Sequence, residues 1–517
     1  MPIIDLALWD LERLTGAREQ GIMKALDYIK GNLESREGDR LKFEATHDRP
    51  DFFSAEGLAR AIKGVLGIEA GAPRAEVKAG DVQLIYGERI EERPYALMAI
   101  VRGLRLDDEA IAQMIQLQEK LHDTYGRDRR KIAIGFYDLA KIKPPIYYKR
   151  VSADDEYVPL GLDRPVKVRE MYELTDKGRK YAGLIKREAP PALVDSSGQI
   201  MVIIPVLGSE CCKVTASTRD VLIDVTGQDP AYISKVMSVL VYSLLERSDA
   251  KVVELVKTSG GVVDISPRLL AVRRSDVSAL LGVEVGEEEY ADLLRRARYD
   301  VEGERVVVPP YRINVLSWID VAEDVAILKG YNKLPREPPP MSTAGRRHRV
   351  EASSWGARRA LLSLGFYEVM NYVLSPAQLL GAFGLGYAEV LNPASERLNA
   401  VRSSLLPGLL DMASRAKRKE VRMFEVGDVF DGETKRAVAF VLAKDGATLT
   451  DGLAVLRALC VRLGARCEAS NHKAPWCIEG RCAKISGDLS GIIGEVKPEI
   501  LERIGLLKPT VAAELYL

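Results

Sequence analysis

The stretch Pro335-Arg-Glu-Pro-Pro-Pro340 limits what this chain can fold into more than any other feature. Each proline fixes φ and removes an amide donor, and the residue before a proline is pushed out of the helical region. The stretch is therefore a stiff, extended linker that divides the 517 residues into a long N-terminal part and a shorter C-terminal part. Even the longer part calls for several units, since domains run to ~100–200 residues each. A composition of 47% hydrophobic and 29% charged residues excludes disordered and fibrous classes. Lys+Arg and Asp+Glu both number 74, so any contact with nucleic acid must come from local patches. The longest apolar run, Met201–Leu207, is broken by Pro205 and falls far short of the ~18 residues that a membrane span needs. The N-terminal MPIIDLALWDLERL has no basic-then-apolar order, which makes export unexpected and a cytoplasmic location the expectation. Cys211, Cys212, Cys460, Cys467, Cys477 and Cys482 form no CxxC pair, and buried or free thiols are expected rather than a zinc site.

Four units follow from periodicity and punctuation. Residues 1–83 read as a compact α/β module, with helical spacing over Gly16–Leu33 and a second helix over Ser54–Leu66. Residues 84–265 read as a larger α/β unit. It has a buried strand Tyr95–Val101 and an amphipathic helix Asp107–Tyr125 whose inner side carries Ile111, Met114 or Ile115, Gln118 and Leu121. A solvated GRDRRK turn then leads into a strand Ile132–Tyr137, and Ile200–Val206 and Val221–Val225 read as further central strands. Residues 266–338 hold short helices, one strand Val306–Val308 and a helix Ser317–Leu328, a helix-turn-helix-like arrangement. Residues 342–517 read as an antiparallel sheet with helices on one side, its hairpin turning at Asp431-Gly432. The fold class is multidomain α+β.

Two groups of residues could carry chemistry. Asp320, Glu323 and Asp324 are spaced i, i+3, i+4, so their carboxylates share one helical face and repel unless a cation sits over them. A hard cation such as Mg²⁺ suits oxygen ligands. Helix-dipole pairing together with Arg312 or Lys329 would satisfy the same acids without a metal. His122 precedes the basic GRDRRK turn, which reads either as a phosphate-holding loop or as solvated surface. No Walker A loop, GxGxxG, HExxH or GxSxG occurs.

Seven segments together resemble one family, the β subunit of archaeal and eukaryotic-type phenylalanyl–tRNA synthetase. They are HDRPDFFSAEGLARAIKGVLG (47–67), LQEKLHDTYGRDRRKIAIGFYDLAKI (117–142), ECCKVTASTRDVLIDVTGQD (210–229), PPYRINVLSWIDVAEDVAILKGYNKLP (309–335), LNPASERLNAVRSSLLPGLL (391–410), RMFEVGDVF (422–430) and GIIGEVKPEILERIGLL (491–507). They stand in the family's order and cover essentially the whole chain. The resemblance implies an N-terminal module, a tRNA-editing-like domain, a helix-turn-helix-like magnesium-binding domain and a class II synthetase-like core without catalysis. It implies an α2β2 tetramer in which the α subunit binds ATP and phenylalanine and charges tRNA(Phe). RMFE (422–425) is similar to the second class II motif, but no glycine-rich stretch ending in an ATP-binding arginine follows it.

The same resemblance implies Mg²⁺ on a D-x5-D-x2-E-[DE] pattern, here Asn314, Asp320, Glu323 and Asp324, with Asn314 in place of a carboxylate. It also implies hydrolysis of tyrosine mischarged onto tRNA(Phe), because a hydrophobic pocket rejects an added hydroxyl poorly. The family's PPIINSE-like stretch is Ile204-Pro-Val-Leu-Gly-Ser-Glu210 here, and Tyr137 replaces the histidine of AIGxHDL. Ser209, Glu210 and Thr215 are what remains of a polar pocket, and impaired editing is expected. Two other outcomes stay open: a free-standing tRNA- or protein-binding paralogue, and a self-sufficient hydrolase of mischarged tRNA.

Overall fold

The computed structural model describes residues 1–258 and 263–517. Residues 259–262, inside the expected 84–265 unit, lie outside the described residues. The chain forms two compact units, Met1–Pro338 and Pro339–Leu517, so the break falls inside the proline run.

The first unit opens with a three-stranded antiparallel sheet in which Arg40–Ala45 lies between Ile3–Ala7 and Gly31–Glu37. The helix expected over Gly16–Leu33 covers only Glu19–Leu26. Gly31 has φ 148° and packs so closely on Phe43 that a Cβ there would overlap the ring. The strand it starts is almost wholly exposed and carries no apolar alternation to mark it. The expected boundary at 83 falls within a strand, Glu76–Tyr86. That strand pairs in parallel with Val252–Thr258 and Ile146–Arg150, inside a nine-stranded sheet. One hydrophobic cluster also runs from Ile4 through Leu97, Val225 and Leu240 to Leu328, so the first three expected units share a core.

The nine-stranded sheet ends on one side at Ile132–Asp138, next to Val221–Gly227 and Tyr95–Val101. At the other side stand Ile200–Ile203 and Leu207–Gly208. Helix Asp108–Asp123 buries Ala110, Met114, Leu117 and Leu121. Of the expected inner side, Met114 and Leu121 are buried and Ile111 and Gln118 half-buried, while Ile115, the alternative to Met114, is 51% exposed. The region 266–338 contains a three-stranded antiparallel sheet, Arg268–Ala271, Arg305–Val308 and Asp300–Glu302, beside its helices, more strand than its sequence announces.

The second unit is a seven-stranded sheet, antiparallel except where Tyr367–Glu368 pairs with Val421–Asp431. Its hairpin Val421–Asp431/Glu433–Ala443 turns at Gly432, as Asp431-Gly432 predicts. Helices cover both faces, which corrects the one-sided expectation. Ala437, Ala439 and Val441 share a cluster with helices Leu406–Ser414 and Pro498–Ile504. Val438 and Phe440 share another with Arg349–Ser363 and Leu449–Leu463. A strand buried on both faces is apolar at every position, as AVAFVLA is. Cys460 and Cys467 form a disulfide between the end of helix Leu449–Leu463 and the next strand, which corrects the free-thiol expectation for that pair. Among the described residues, no helix is long and apolar enough to cross a membrane.

Candidate functional site

A cavity of about 190 Å³ lies between the two ends of the nine-stranded sheet, walled by Ile204–Ser209 on one side and by Ala133–Tyr137 on the other. Met114 and Gln118 of helix Asp108–Asp123 close part of it. Most of the wall is apolar. Its buried acid is Asp224, which stands opposite Gly135 in the ladder between Val221–Gly227 and Ile132–Asp138. Tyr137, two residues along on the same face, donates its hydroxyl to Asp224 Oδ1 at 2.5 Å. Burial pushes Asp224 up to about 7, against the opposing pull of Tyr137 and Arg93. The Tyr137 phenol is raised well above its ordinary value by burial and by the adjacent Asp224.

Of the three expected pocket residues, only Ser209 lines this cavity. Its hydroxyl donates to the Val158 carbonyl at 3.0 Å. Glu210 accepts from Lys213 Nζ at 2.9 Å and from the Gly161 amide at 3.2 Å, and Lys213 holds its carboxyl below the usual range. The Thr215 hydroxyl pairs with Ser217 at 2.9 Å. Neither Glu210 nor Thr215 belongs to the wall. Asp224, which sequence reasoning passed over, and Arg129, which it read only as part of the GRDRRK turn, do belong to it. The available signal was Asp224 itself, a lone acid inside the apolar run VLIDV.

The GRDRRK turn supports the wall instead of cradling a phosphate. Arg127, Asp128 and Arg129 all adopt positive φ (47°, 55° and 62°), which turns Arg129 inward. Arg129 donates to the carbonyls of Pro205 and Val206, both at 3.0 Å, and to Glu119 at 2.8 Å. His122 is buried and accepts from the Ile134 amide at 2.8 Å, and burial pushes it down to about 3. A neutral, buried imidazole brings no positive charge to an anion.

The acidic helix Trp318–Lys329 is satisfied by protein groups. Asp320 Oδ2 accepts from the Ser317 amide at 2.7 Å and the Leu316 amide at 2.8 Å, closing a capping box. Glu323 accepts from Lys30 Nζ at 2.8 Å. Asp324 Oδ2 accepts from Arg312 at 2.6 Å and from the Tyr299 hydroxyl. Arg312, 2% exposed, also donates to Asn314 Oδ1 at 3.1 Å. Lys329 pairs with Glu289 instead of these acids. The guanidinium thus supplies the cation that Asp324 and Asn314 require. Among the described residues, no three His, Cys, Asp or Glu side chains converge as a metal site. The side chains as arranged do not fit a magnesium ion held by this chain alone.

In the second unit, Glu425 of RMFE is 1% exposed and accepts from Arg402 at 2.5 Å and from Asn371 Nδ2 at 2.7 Å. Arg422 donates to Glu420 at 2.8 Å and to the Leu364 carbonyl at 3.2 Å. Both charged residues of the motif are committed within the fold. Three large apolar side chains are bare to solvent, Met370 at 90%, Tyr372 at 82% and Leu391 at 101% exposed.

Residues 334–517 match the family model described as the phenylalanyl tRNA synthetase beta chain CLM domain, and residues 270–331 match the tRNA synthetase B5 domain. The chain is 54% identical to the phenylalanine–tRNA ligase beta subunit of Pyrobaculum aerophilum, over the full length of both. It is 40% identical to that of Thermofilum pendens, covering all of this chain and 97% of the relative. Among solved structures, an N-terminal fragment of the phenylalanyl-tRNA synthetase beta-subunit from Pyrococcus horikoshii is 36% identical, with a TM-score of 0.59. The match covers 64% of this chain and all of that one.

Proposed function

The chain belongs to the phenylalanine–tRNA ligase β-subunit family, and from that premise we propose that it works as the non-catalytic half of a cytoplasmic α2β2 tetramer that charges tRNA(Phe). As a family member it is a subunit of an aminoacyl-tRNA synthetase, a ligase of protein biosynthesis. The observation that carries the proposal is the commitment of Glu425 to Arg402 and Asn371, together with Arg422 bound to Glu420. A nucleotide site needs a free arginine to meet phosphate, and neither charged side chain of the motif is free. ATP, its Mg²⁺ and phenylalanine are accordingly assigned to the α subunit. The exposed Met370, Tyr372 and Leu391 support a protein partner on the second unit, because large apolar side chains left in water gain by burial. Identity of 54% along the whole chain disfavours a free-standing paralogue.

The test is reconstitution. The isolated chain is expected to catalyse no phenylalanine-dependent pyrophosphate exchange, and the α subunit to co-elute with it and charge tRNA(Phe). Exchange by the lone chain would remove the proposal. Proofreading of tyrosine-charged tRNA is proposed to be impaired, because Gly208 brings no polar group to the cavity and Glu210 and Thr215 do not line it. Slow deacylation by the assembled enzyme is the expected result.

A further inference from the structure

We propose that Tyr137 is a specificity-determining residue, a tethered phenol that occupies Asp224 and so bars the hydroxyl of a phenolic ligand from the cavity. Its consequence for tRNA rests on the proofreading proposal above; the cavity chemistry does not.

The other polar side chains of the wall all have partners within the protein, although the buried Nε of Arg129 has none. Arg129 is spent on the carbonyls of Pro205 and Val206 and on Glu119. Lys177 also binds Glu119, at 2.9 Å, and Gln118 donates to the Ile134 carbonyl at 2.6 Å. Lys213 is paired with Glu210, and Ser209 donates to Val158. The buried carboxyl that remains to meet a ligand hydroxyl is Asp224, and Tyr137 reaches it first. The ladder register makes this meeting inevitable. Asp224 stands opposite Gly135, and Tyr137 follows two residues later on the same face. A Cβ on Gly135 would overlap both the Tyr137 hydroxyl and Asp224 Oδ1, so only glycine leaves room for the pair. The remaining wall, with Met114, Ile134, Val202, Ile204 and Pro205, suits an apolar side chain without a hydroxyl.

Side-chain analogues separate this from the alternatives. Dissociation constants of p-cresol and toluene would be measured on the full chain by ligand-observed NMR. The native chain is expected to bind toluene at least as well as p-cresol. Tyr137→Phe keeps the ring and strips the hydroxyl, and should shift the ratio toward p-cresol by roughly ten- to hundredfold, the scale of one hydrogen bond to a charged group. Adding Asp224→Asn should cancel that shift. Asp224→Asn alone should leave the native ratio unchanged, and this variant remains informative if Tyr137→Phe folds poorly. An unchanged or reversed ratio in Tyr137→Phe would overturn the inference, since Tyr137 would then orient Asp224 toward the ligand. Loss of p-cresol affinity in the single Asp224→Asn variant, or no binding of either probe to any form, would overturn it equally. Deacylation of tyrosine-charged tRNA by the variant assembled with α tests the other layer. Selective p-cresol binding without faster deacylation leaves the role of Tyr137 in the cavity standing and removes only its consequence for tRNA, whereas fast deacylation by the native assembled enzyme would remove the proofreading proposal alone.

Discussion

Arg312 donates to Asp324 Oδ2 at 2.6 Å in a setting where the arginine is 2% exposed and the carboxyl little more. Burial is the largest single influence on the arginine and lowers its proton affinity, but Asp324, Tyr299, Asp51 and Tyr311 together raise it by more. Asp324→Ala should therefore leave a buried charge without its partner, a loss of about 3–5 kcal/mol. Asp320→Ala removes only capping contacts and should cost ~1 kcal/mol. Denaturation of the isolated chain checks both, and neither loss should depend on added Mg²⁺ or on a chelator. Magnesium-dependent stability in the native chain that Asp324→Ala abolishes would restore the metal reading of this helix.

Two buried carboxyls should make stability fall as pH rises. Asp224 in the first unit is pushed up to about 7 from 3.8, and Glu514 in the second to about 7 from 4.5, in both cases chiefly by burial. A raised acid binds its proton more tightly in the folded state than in the unfolded one. Its contribution is full below the unfolded value and is lost as pH climbs through the folded one. Between about pH 5 and 7 each group should remove up to about 1.4 kcal/mol per pH unit. Urea denaturation across this range checks the slope. Asp224→Asn should flatten it for the first unit and Glu514→Gln for the second.

Two glycines at the cavity should respond oppositely to substitution. Gly135→Ala forces a Cβ into the Tyr137 hydroxyl and Asp224, and overpacking of this kind costs about 1–3 kcal/mol. A Cβ on Gly208 would meet only the Met201 carbonyl, at 3.9 Å. Gly208→Asn should therefore fold normally, and it places an amide beside the cavity. Thermal unfolding distinguishes the two, and deacylation improved by Gly208→Asn would support the proposed loss of proofreading.

The Cys460–Cys467 disulfide spans a sequence separation of seven residues. Closing so short a loop is worth about 2 kcal/mol through the unfolded chain. Cys460→Ser or addition of a reductant should lower the denaturation midpoint of the second unit by that amount. Peptide mapping under non-reducing conditions should recover the linked pair.

Local instructions were legible without a structure. The proline run set the break between units, Asp431-Gly432 set the hairpin, and Ser317 with Asp320 formed the capping box that their spacing announces. Each depends on groups a few residues apart, whose conformations are restricted by their own chemistry. The exposed strand Gly31–Glu37 escaped because it has no apolar period, and the choice between Met114 and Ile115 stayed open because both are apolar neighbours in the chain. The sites depended on tertiary structure entirely. Tyr137 and Asp224 lie 87 residues apart, and Lys30 and Glu323 lie 293 apart. Strand register and sheet closure bring such pairs together, and no local pattern encodes a partner's position. Neighbours along the chain thus set the linker, the hairpin turn and the helix cap. Which acid faces a cavity and which meets a guanidinium followed from the folded arrangement, because desolvation and pairing act on neighbours in space.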